Sequence, residues 1–324
     1  MGFAEKVRQA PQRTMRSLLI SLSHRRSLAR LAVRSPLTRP VVARFVAGES
    51  LAEALPAIGV LAGAGFRTTV DVLGESVASP EHASAAVDRY LATIAALSER
   101  GFDPNVSVKL TQMGQAIDRD LCRANVMRIV EAVRGVSGFV RFDMEAHTRT
   151  DATLDTWRAA HEAYPGVGVV IQSALRRSSA DVDAIIAAGG RVRLCKGAYD
   201  EPGSVAYRTK AAVDANYTRL MERLLLADAY PAIATHDPSL IARAIEVVQG
   251  EGIGRDRFEF QMLYGVRRDL QRALVARGYT VRIYVPFGQE WYPYFMRRLA
   301  ERPANVGFML RAVLKEEGRR IRGR

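Results

Sequence analysis

From residue 66 onward the chain alternates two kinds of segment. Short runs of β-branched and aromatic residues are separated by longer stretches rich in Ala, Leu and Arg. The short runs read as buried strands, and the longer stretches, apolar at spacings of three and four, read as helices. Strands are expected at residues 67–73, 105–110, 139–144, 167–173, 191–196, 231–236, 257–262 and 280–286. Their midpoints stand roughly 23 to 40 residues apart, room for one crossover helix in each interval. Among the helices, 79–98 opens on Pro80-Glu81 and stops before Gly101. Helix 206–226 is long and amphipathic, and 239–250 follows the capping sequence Asp237-Pro238-Ser239. Eight strand–helix units without a low-complexity linker favour a closed (βα)8 barrel. A doubly wound sheet stays open as an alternative, because strand order is not written in one sequence.

Composition changes this picture little. The 324 residues are 48% hydrophobic and 25% charged, as in an ordinary globular protein. No apolar run approaches the roughly 20 residues of a membrane span. Two cysteines, Cys122 and Cys195, are too few for a disulfide framework; they read as small buried hydrophobes of a reducing compartment. Charge says more. Of the net +13, residues 1–50 carry ten Lys/Arg against two Glu, and residues 311–324 carry six against two. The 260 residues between are therefore close to neutral, at +1. That distribution argues against nucleic acid, which calls for a basic field over the domain itself. Basic ends fit peripheral attraction to an anionic surface, or simple solubility, better. Residues 17–35 mix Leu, Ile and Ala with Arg and suggest an amphipathic helix, packed against the main domain or serving as a transit segment. Three regions are expected: a basic helical arm at 1–50, a barrel domain at 51–310 and a basic tail at 311–324.

In such a barrel the active site lies where the strands end. Seven of the eight predicted strands run into polar residues at that end. They include Lys109 at the end of strand two, Asp143 and Glu145 at the end of strand three, Gln172 at the end of strand four, and Arg193 and Lys196 on strand five. Thr235-His236 and Tyr284 follow on strands six and eight. Buried-looking charges such as Asp143 and Lys109 need partners inside the pocket. No metal is expected, since no His stands at ligand spacing beside Asp143 and Glu145. His236 suits either a general base or a neutral hydrogen-bond partner for a cofactor. Near the C-terminus, Tyr294, Arg297, Arg298 and Glu301 share one face of a helix over 291–301. Two readings fit: an exposed, ion-paired face, or a pair of guanidinium forks for a carboxylate or phosphate.

Several stretches together resemble a known family. They are Phe45-Val46-Ala47-Gly48-Glu49, Val70-Asp71-Val72-Leu73-Gly74-Glu75, Val108-Lys109-Leu110-Thr111-Gln112 and Phe142-Asp143-Met144-Glu145. Arg193-Leu194-Cys195-Lys196-Gly197-Ala198-Tyr199, Ala234-Thr235-His236-Asp237 and Phe258-Glu259-Phe260-Gln261-Met262-Leu263-Tyr264-Gly265 follow, and then the 294–301 helix. From about residue 45 to 311 the chain resembles the proline dehydrogenases of the short, monofunctional bacterial type. The resemblance implies a distorted (βα)8 TIM barrel, preceded by N-terminal helices, with its last helix over the barrel mouth. It implies FAD as cofactor and oxidation of L-proline to Δ1-pyrroline-5-carboxylate. A membrane quinone is implied as electron acceptor.

By the same resemblance, Arg297, Arg298 and Lys109 would bind the proline carboxylate, while Tyr284, Leu263 and Tyr294 would shape the ring pocket. Asp143 would orient its neighbours through Tyr284, and Arg193 would stand near the reactive flavin nitrogen. Met144, Gln172, Lys196, Gly197, Ala198, Thr235 and His236 would contact FAD. Glu301 would pair with an arginine or a cofactor hydroxyl. Asp200-Glu201-Pro202 departs from the family, where a second aromatic often follows Tyr199. No Rossmann G-x-G-x-x-G is present, against an NAD enzyme. The 324 residues hold no aldehyde-dehydrogenase domain, so a separate pyrroline-5-carboxylate dehydrogenase is expected to take the next step. A cytoplasmic protein, peripheral on the inner face of the membrane, is the expected location. Hydroxyproline dehydrogenases and folate reductases are the alternative readings.

Overall fold

The computed structural model describes residues 42–301 except 75 and 228, with side chains described up to Met296. Eight parallel strands close into a barrel in sequence order. They are β1 (Arg67–Val72), β2 (Asn105–Val108), β3 (Phe139–Phe142), β4 (Val167–Gln172), β5 (Arg191–Cys195), β6 (Ala232–Ala234), β7 (Glu259–Leu263) and β8 (Val281–Phe287). The expected (βα)8 architecture is therefore the one adopted, and the doubly wound alternative falls away. Five strand starts stand where expected, and six C-terminal ends move inward by one or two residues, because polar rim residues such as Lys109 leave the ladder; β7 and β8 run one residue further than expected.

Helices alternate with the strands: α1 (Leu51–Gly63), α2 (Pro80–Glu99), α3 (Arg119–Gly135), α4 (Thr150–Ala163), α5 (Ser178–Ala187), α6 (Lys210–Leu226), α7 (Pro238–Gly250), α8 (Arg268–Ala276) and α9 (Trp291–Glu301). Their starts follow capping chemistry. Ser79 accepts from the His82 N–H ahead of Pro80, Asp118 from Leu121 and Asp237 from Ser239. Helix α6 begins at 210 and not at 206, since Thr209 supplies the cap, accepting from the Ala212 N–H. Ala206 instead bridges Leu175 in an antiparallel pair.

The described residues fall into two compact units. Residues 55–285 form the larger, with its apolar layer between strands and helices (Val106, Val140, Val169, Leu194, Ile233, Phe260, Ile283, Trp157, Tyr217). In the smaller, residues 42–54 join 286–301. There the Ala47 N–H donates to the Pro286 carbonyl, the Gly288 N–H to the Gly48 carbonyl, and Trp291 Nε1 to Glu49 Oε1 at 3.1 Å. Phe45 and Phe295 pack with ring centres 6.3 Å apart. The expected arm falls outside the described residues up to residue 41, and so does the tail at 311–324. Cys122 is buried, and burial pushes its thiol up to about 12. Cys195, expected to be buried too, is half-buried.

The barrel interior is more polar than the expected Val/Ile/Leu filling. Successive side chains of a strand alternate faces, so residues two apart point inward together. Glu259 and Gln261 on β7, Arg141 and Asp143 from β3, and Arg282 and Tyr284 on β8 form such pairs. Arg191 and Arg193 share the same parity on β5. The lower layer pairs Arg282 with both Glu259 oxygens (2.9 and 3.0 Å) and with Asp103 (2.6 Å). Gln261 donates to Glu259 and accepts from Arg193 Nε, joining this layer to the one above.

Candidate functional site

The upper layer gathers at the C-terminal ends of β1, β2, β3, β5 and β8. Arg193 is 5% exposed and is held on three sides. Its Nη1 donates to Asp143 Oδ1 at 2.8 Å, its Nη2 to Ser107 Oγ at 2.9 Å and its Nε to Gln261 Oε1. Its guanidinium lies 5.3 Å from the centre of the Tyr284 ring. The Tyr284 hydroxyl donates to Asp143 Oδ2 at 2.8 Å. Lys109 Nζ donates to both Asp71 oxygens at 3.0 Å and stands 3.6 Å from Asp143. Two carboxylates thus meet two cations, and their formal charges cancel.

Environment sets the protonation of this cluster. Burial pushes the Asp71 carboxyl up, the Lys109 charge pulls it down, and the nearby Asp143 adds to the rise. Burial and then the Asp143 and Asp71 charges push the Tyr284 hydroxyl well above the usual phenol range. Tyr284 therefore stays a proton donor. Tyr90, reaching in from α2, is raised the same way and donates to the Ser107 carbonyl at 2.8 Å. That bond fixes the strand carrying the Arg193 partner Ser107.

A second group of polar residues stands on β4, β5 and β6. Gln172, 3% exposed, donates from Nε2 to the Glu145 carbonyl at 2.8 Å. Among the described residues nothing donates to its Oε1. Glu145 accepts from the Thr111 N–H and hydroxyl, and Met144 is buried beside it. Lys196 Nζ bridges Asp214 (2.6 Å) and Asp237 (3.0 Å). Burial works to raise the Asp237 carboxyl, but the Lys196 hydrogen bond and charge prevail and lower it. His236 Nε2 accepts the Leu263 N–H at 2.9 Å, which leaves that lone pair engaged and favours the neutral-partner reading over a general base there. The turn after β3 and the connection after β5 are tied by Glu201, whose carboxylate takes the His147 N–H and the His147 ring nitrogen.

Gly197 has φ +109°, and a Cβ placed there would lie 2.9 Å from Gln172 Oε1. Gly197→Ala should cost about 1–3 kcal/mol through this strain. Urea unfolding would measure it, and a cost below about 0.5 kcal/mol would show that the loop simply relaxes.

The structure brings Lys109, Asp143, Arg193 and Tyr284 into one cluster. It places Met144, Gln172, Lys196, Gly197, Ala198, Thr235, His236 and Leu263 at or just beyond the ends of β3 to β7. Tyr294 is buried in the smaller unit. The side chains of Arg297, Arg298 and Glu301 lie outside the described residues. Sequence reasoning gave no role to Asp71, Ser107, Gln261 or Tyr90. The alternation of polar residues two apart in otherwise apolar strands carries that signal for the first three.

A family model described as proline dehydrogenase matches residues 54–311. The chain belongs to the proline dehydrogenase family. The proline dehydrogenase of Deinococcus radiodurans is 44% identical over 277 residues, covering 84% of this chain and 89% of that relative. Proline dehydrogenase 2 of Bacillus subtilis strain 168 is 38% identical over 279 residues, covering 86% and 92%. Among solved structures, proline utilization A from Bdellovibrio bacteriovorus inactivated by N-propargylglycine superposes with a TM-score of 0.76 at 26% identity. The match covers 81% of this chain and 32% of that longer one. Family membership accounts for the motif order read from the sequence. Among the described residues no cluster of three metal-ligating side chains occurs, and no helix is long and apolar enough to cross a membrane.

Proposed function

We propose that this chain oxidises L-proline to Δ1-pyrroline-5-carboxylate with FAD as cofactor and a quinone as final acceptor. The observation that carries the reading is the locked cluster Asp71–Lys109–Asp143–Arg193–Tyr284 at the strand ends of a proline dehydrogenase family barrel. Bound FAD would supply the two-electron acceptor for a hydride leaving the ring carbon beside nitrogen. The residues present fit such a group. Gln172 Oε1 is an acceptor without a donor among the described residues, Gly197 opens a glycine-only turn against it, and Arg193 and Lys196 supply positive charge. Met144, Gln172, Lys196, Gly197, Ala198, Thr235 and His236 would hold the cofactor, with Glu301 contributing.

Arg193 would stabilise negative charge accumulating at the reacting face, from a position its three partners have already fixed. Asp143 keeps both Arg193 and Tyr284 in place. Because the cluster's formal charges cancel, it has little surplus to hold a substrate carboxylate. Arg297 and Arg298 are proposed to bind it, with Lys109 adding a donor. Leu263, Tyr284 and Tyr294 are proposed to line the pyrrolidine pocket. The amine must react neutral, so its proton passes to water before hydride loss. A membrane quinone also gives the basic segments 1–50 and 311–324 a purpose, since they would draw the protein to an anionic leaflet. The product would pass to a separate pyrroline-5-carboxylate dehydrogenase.

Purified protein should be yellow, and anaerobic L-proline should bleach its visible flavin band, with a soluble quinone restoring it. Colourless protein, or a band indifferent to proline, would overturn the reading.

A further inference from the structure

The opposite end of the barrel holds a second cluster that the reaction does not use. A cleft of about 360 Å3 opens among the starts of β2, β3, β5, β7 and β8. It is within the range of small-molecule sites. Five charged side chains line it: Asp103, Arg141, Arg191, Glu259 and Arg282. Both acids are committed to Arg282. Arg141 and Arg191 are left without any carboxylate within salt-bridge distance among the described residues.

These two cations are also crowded together. Their guanidinium carbons lie 4.9 and 5.6 Å from the centre of the same ring, Phe139, and Arg191 also covers Tyr230 at 5.0 Å. Arg141 is 3% exposed, yet its sole described hydrogen bond is a long one, 3.4 Å to the Arg191 carbonyl. Among the described residues its Nε has no acceptor, and in the same cleft Asn105 Oδ1 is buried without a donor. A buried guanidinium with neither ion pair nor full hydrogen bonding is costly. The backbone makes room for it nonetheless. Gly168 on β4 faces the pair, and a Cβ there would lie 2.9 Å from Arg141 Nη1 and 2.8 Å from the Phe139 ring. The chain thus keeps two like charges side by side, with a glycine beside them and a cleft in front.

We propose that this floor cleft binds a small oxyanion, a carboxylate or phosphate group of a small molecule, between Arg141 and Arg191. Guanidinium forks match the two-oxygen edge of either group. The anion supplies the missing counter-charge, and the aromatic walls of Phe139, Tyr164 and Tyr230 leave space for an organic body. The site lies among the strand starts, at the end of the barrel opposite the mouth.

The test follows the thermal midpoint of the full-length protein as purified. Inorganic phosphate and acetate are titrated separately at constant ionic strength. A saturable rise of about 3 °C at tenfold above half-saturation is expected, absent from Arg191→Gln. Arg191 sits at the exposed edge of β5, so this variant should fold and keep proline turnover within about twofold of the parent. Arg141→Lys, which keeps charge and loses the fork, should retain only part of the response. A response to phosphate alone assigns the site to phosphorylated ligands, to acetate alone to organic acids, and to both to oxyanions in general. No response to either, or an equal response in Arg191→Gln, overturns the proposal.

Discussion

Arg193→Gln should lower kcat for proline by roughly 10²–10³-fold, the usual cost of removing one preorganised charge donor from a reacting centre. The substitution removes the donors to Asp143 and Ser107, together with one of the two cations of the cluster. Folding should survive. Asp143 keeps Lys109 at 3.6 Å and the Tyr284 hydroxyl at 2.8 Å, and its side chain is 14% exposed. The loss should therefore appear in flavin reduction by proline, with cofactor content retained. Arg193→Lys should fall between, because a point charge cannot reach three partners at once. Single-turnover bleaching under anaerobic conditions separates chemistry from proline binding. An unchanged bleaching rate in Arg193→Gln would remove Arg193 from the proposed mechanism.

Glu259→Gln should destabilise the fold by about 1.5–3 kcal/mol, since the buried Arg282 loses the carboxylate it now holds by both oxygens and keeps Asp103 as its remaining carboxylate among the described residues. The expected pH dependence has a definite sign. Burial works to raise the Glu259 carboxyl, but the charge and hydrogen bonds of Arg282 prevail and hold it below its ordinary 4.5. A carboxyl lowered on folding contributes stability that is present above its unfolded value and lost as pH falls through the folded one. The gap between parent and Glu259→Gln should thus be full at neutral pH and narrow below about pH 4. Urea unfolding at pH 7 and at acid pH measures both points. A gap under 1 kcal/mol at neutral pH, or one that widens in acid, would contradict the account.

The barrel was legible in the sequence because buried parallel strands leave continuous apolar runs at crossover spacing. Helix starts at Asp237-Pro238 and Ser79-Pro80 were legible for a local reason, since a cap needs only adjacent residues. The start of α6 was not, because the Ala206 bridge to Leu175 depends on a distant strand end. Lys109, Asp143, Arg193 and Tyr284 stood out by their place at strand ends and by the family's motifs. Their partners did not. That Lys109 takes Asp71, or that Arg193 reaches Ser107 and Gln261, depends on the stagger between strands, which no single strand encodes. The floor charges Arg141, Arg191, Glu259 and Arg282 were overlooked because a charge at the start of a strand reads as the end of a loop.

The hydrogen-bonded column from Tyr284 and Asp143 through Arg193 and Gln261 to Glu259 and Arg282 has a consequence for electron transfer. Arg282 anchors its foot to the Thr68 carbonyl, and Tyr90 anchors the strand at its head. Dipoles pinned at both ends turn little when a charge appears beside them. A barrel filled in this way should have a small reorganisation energy, because its polarisation is built during folding and not during each turnover.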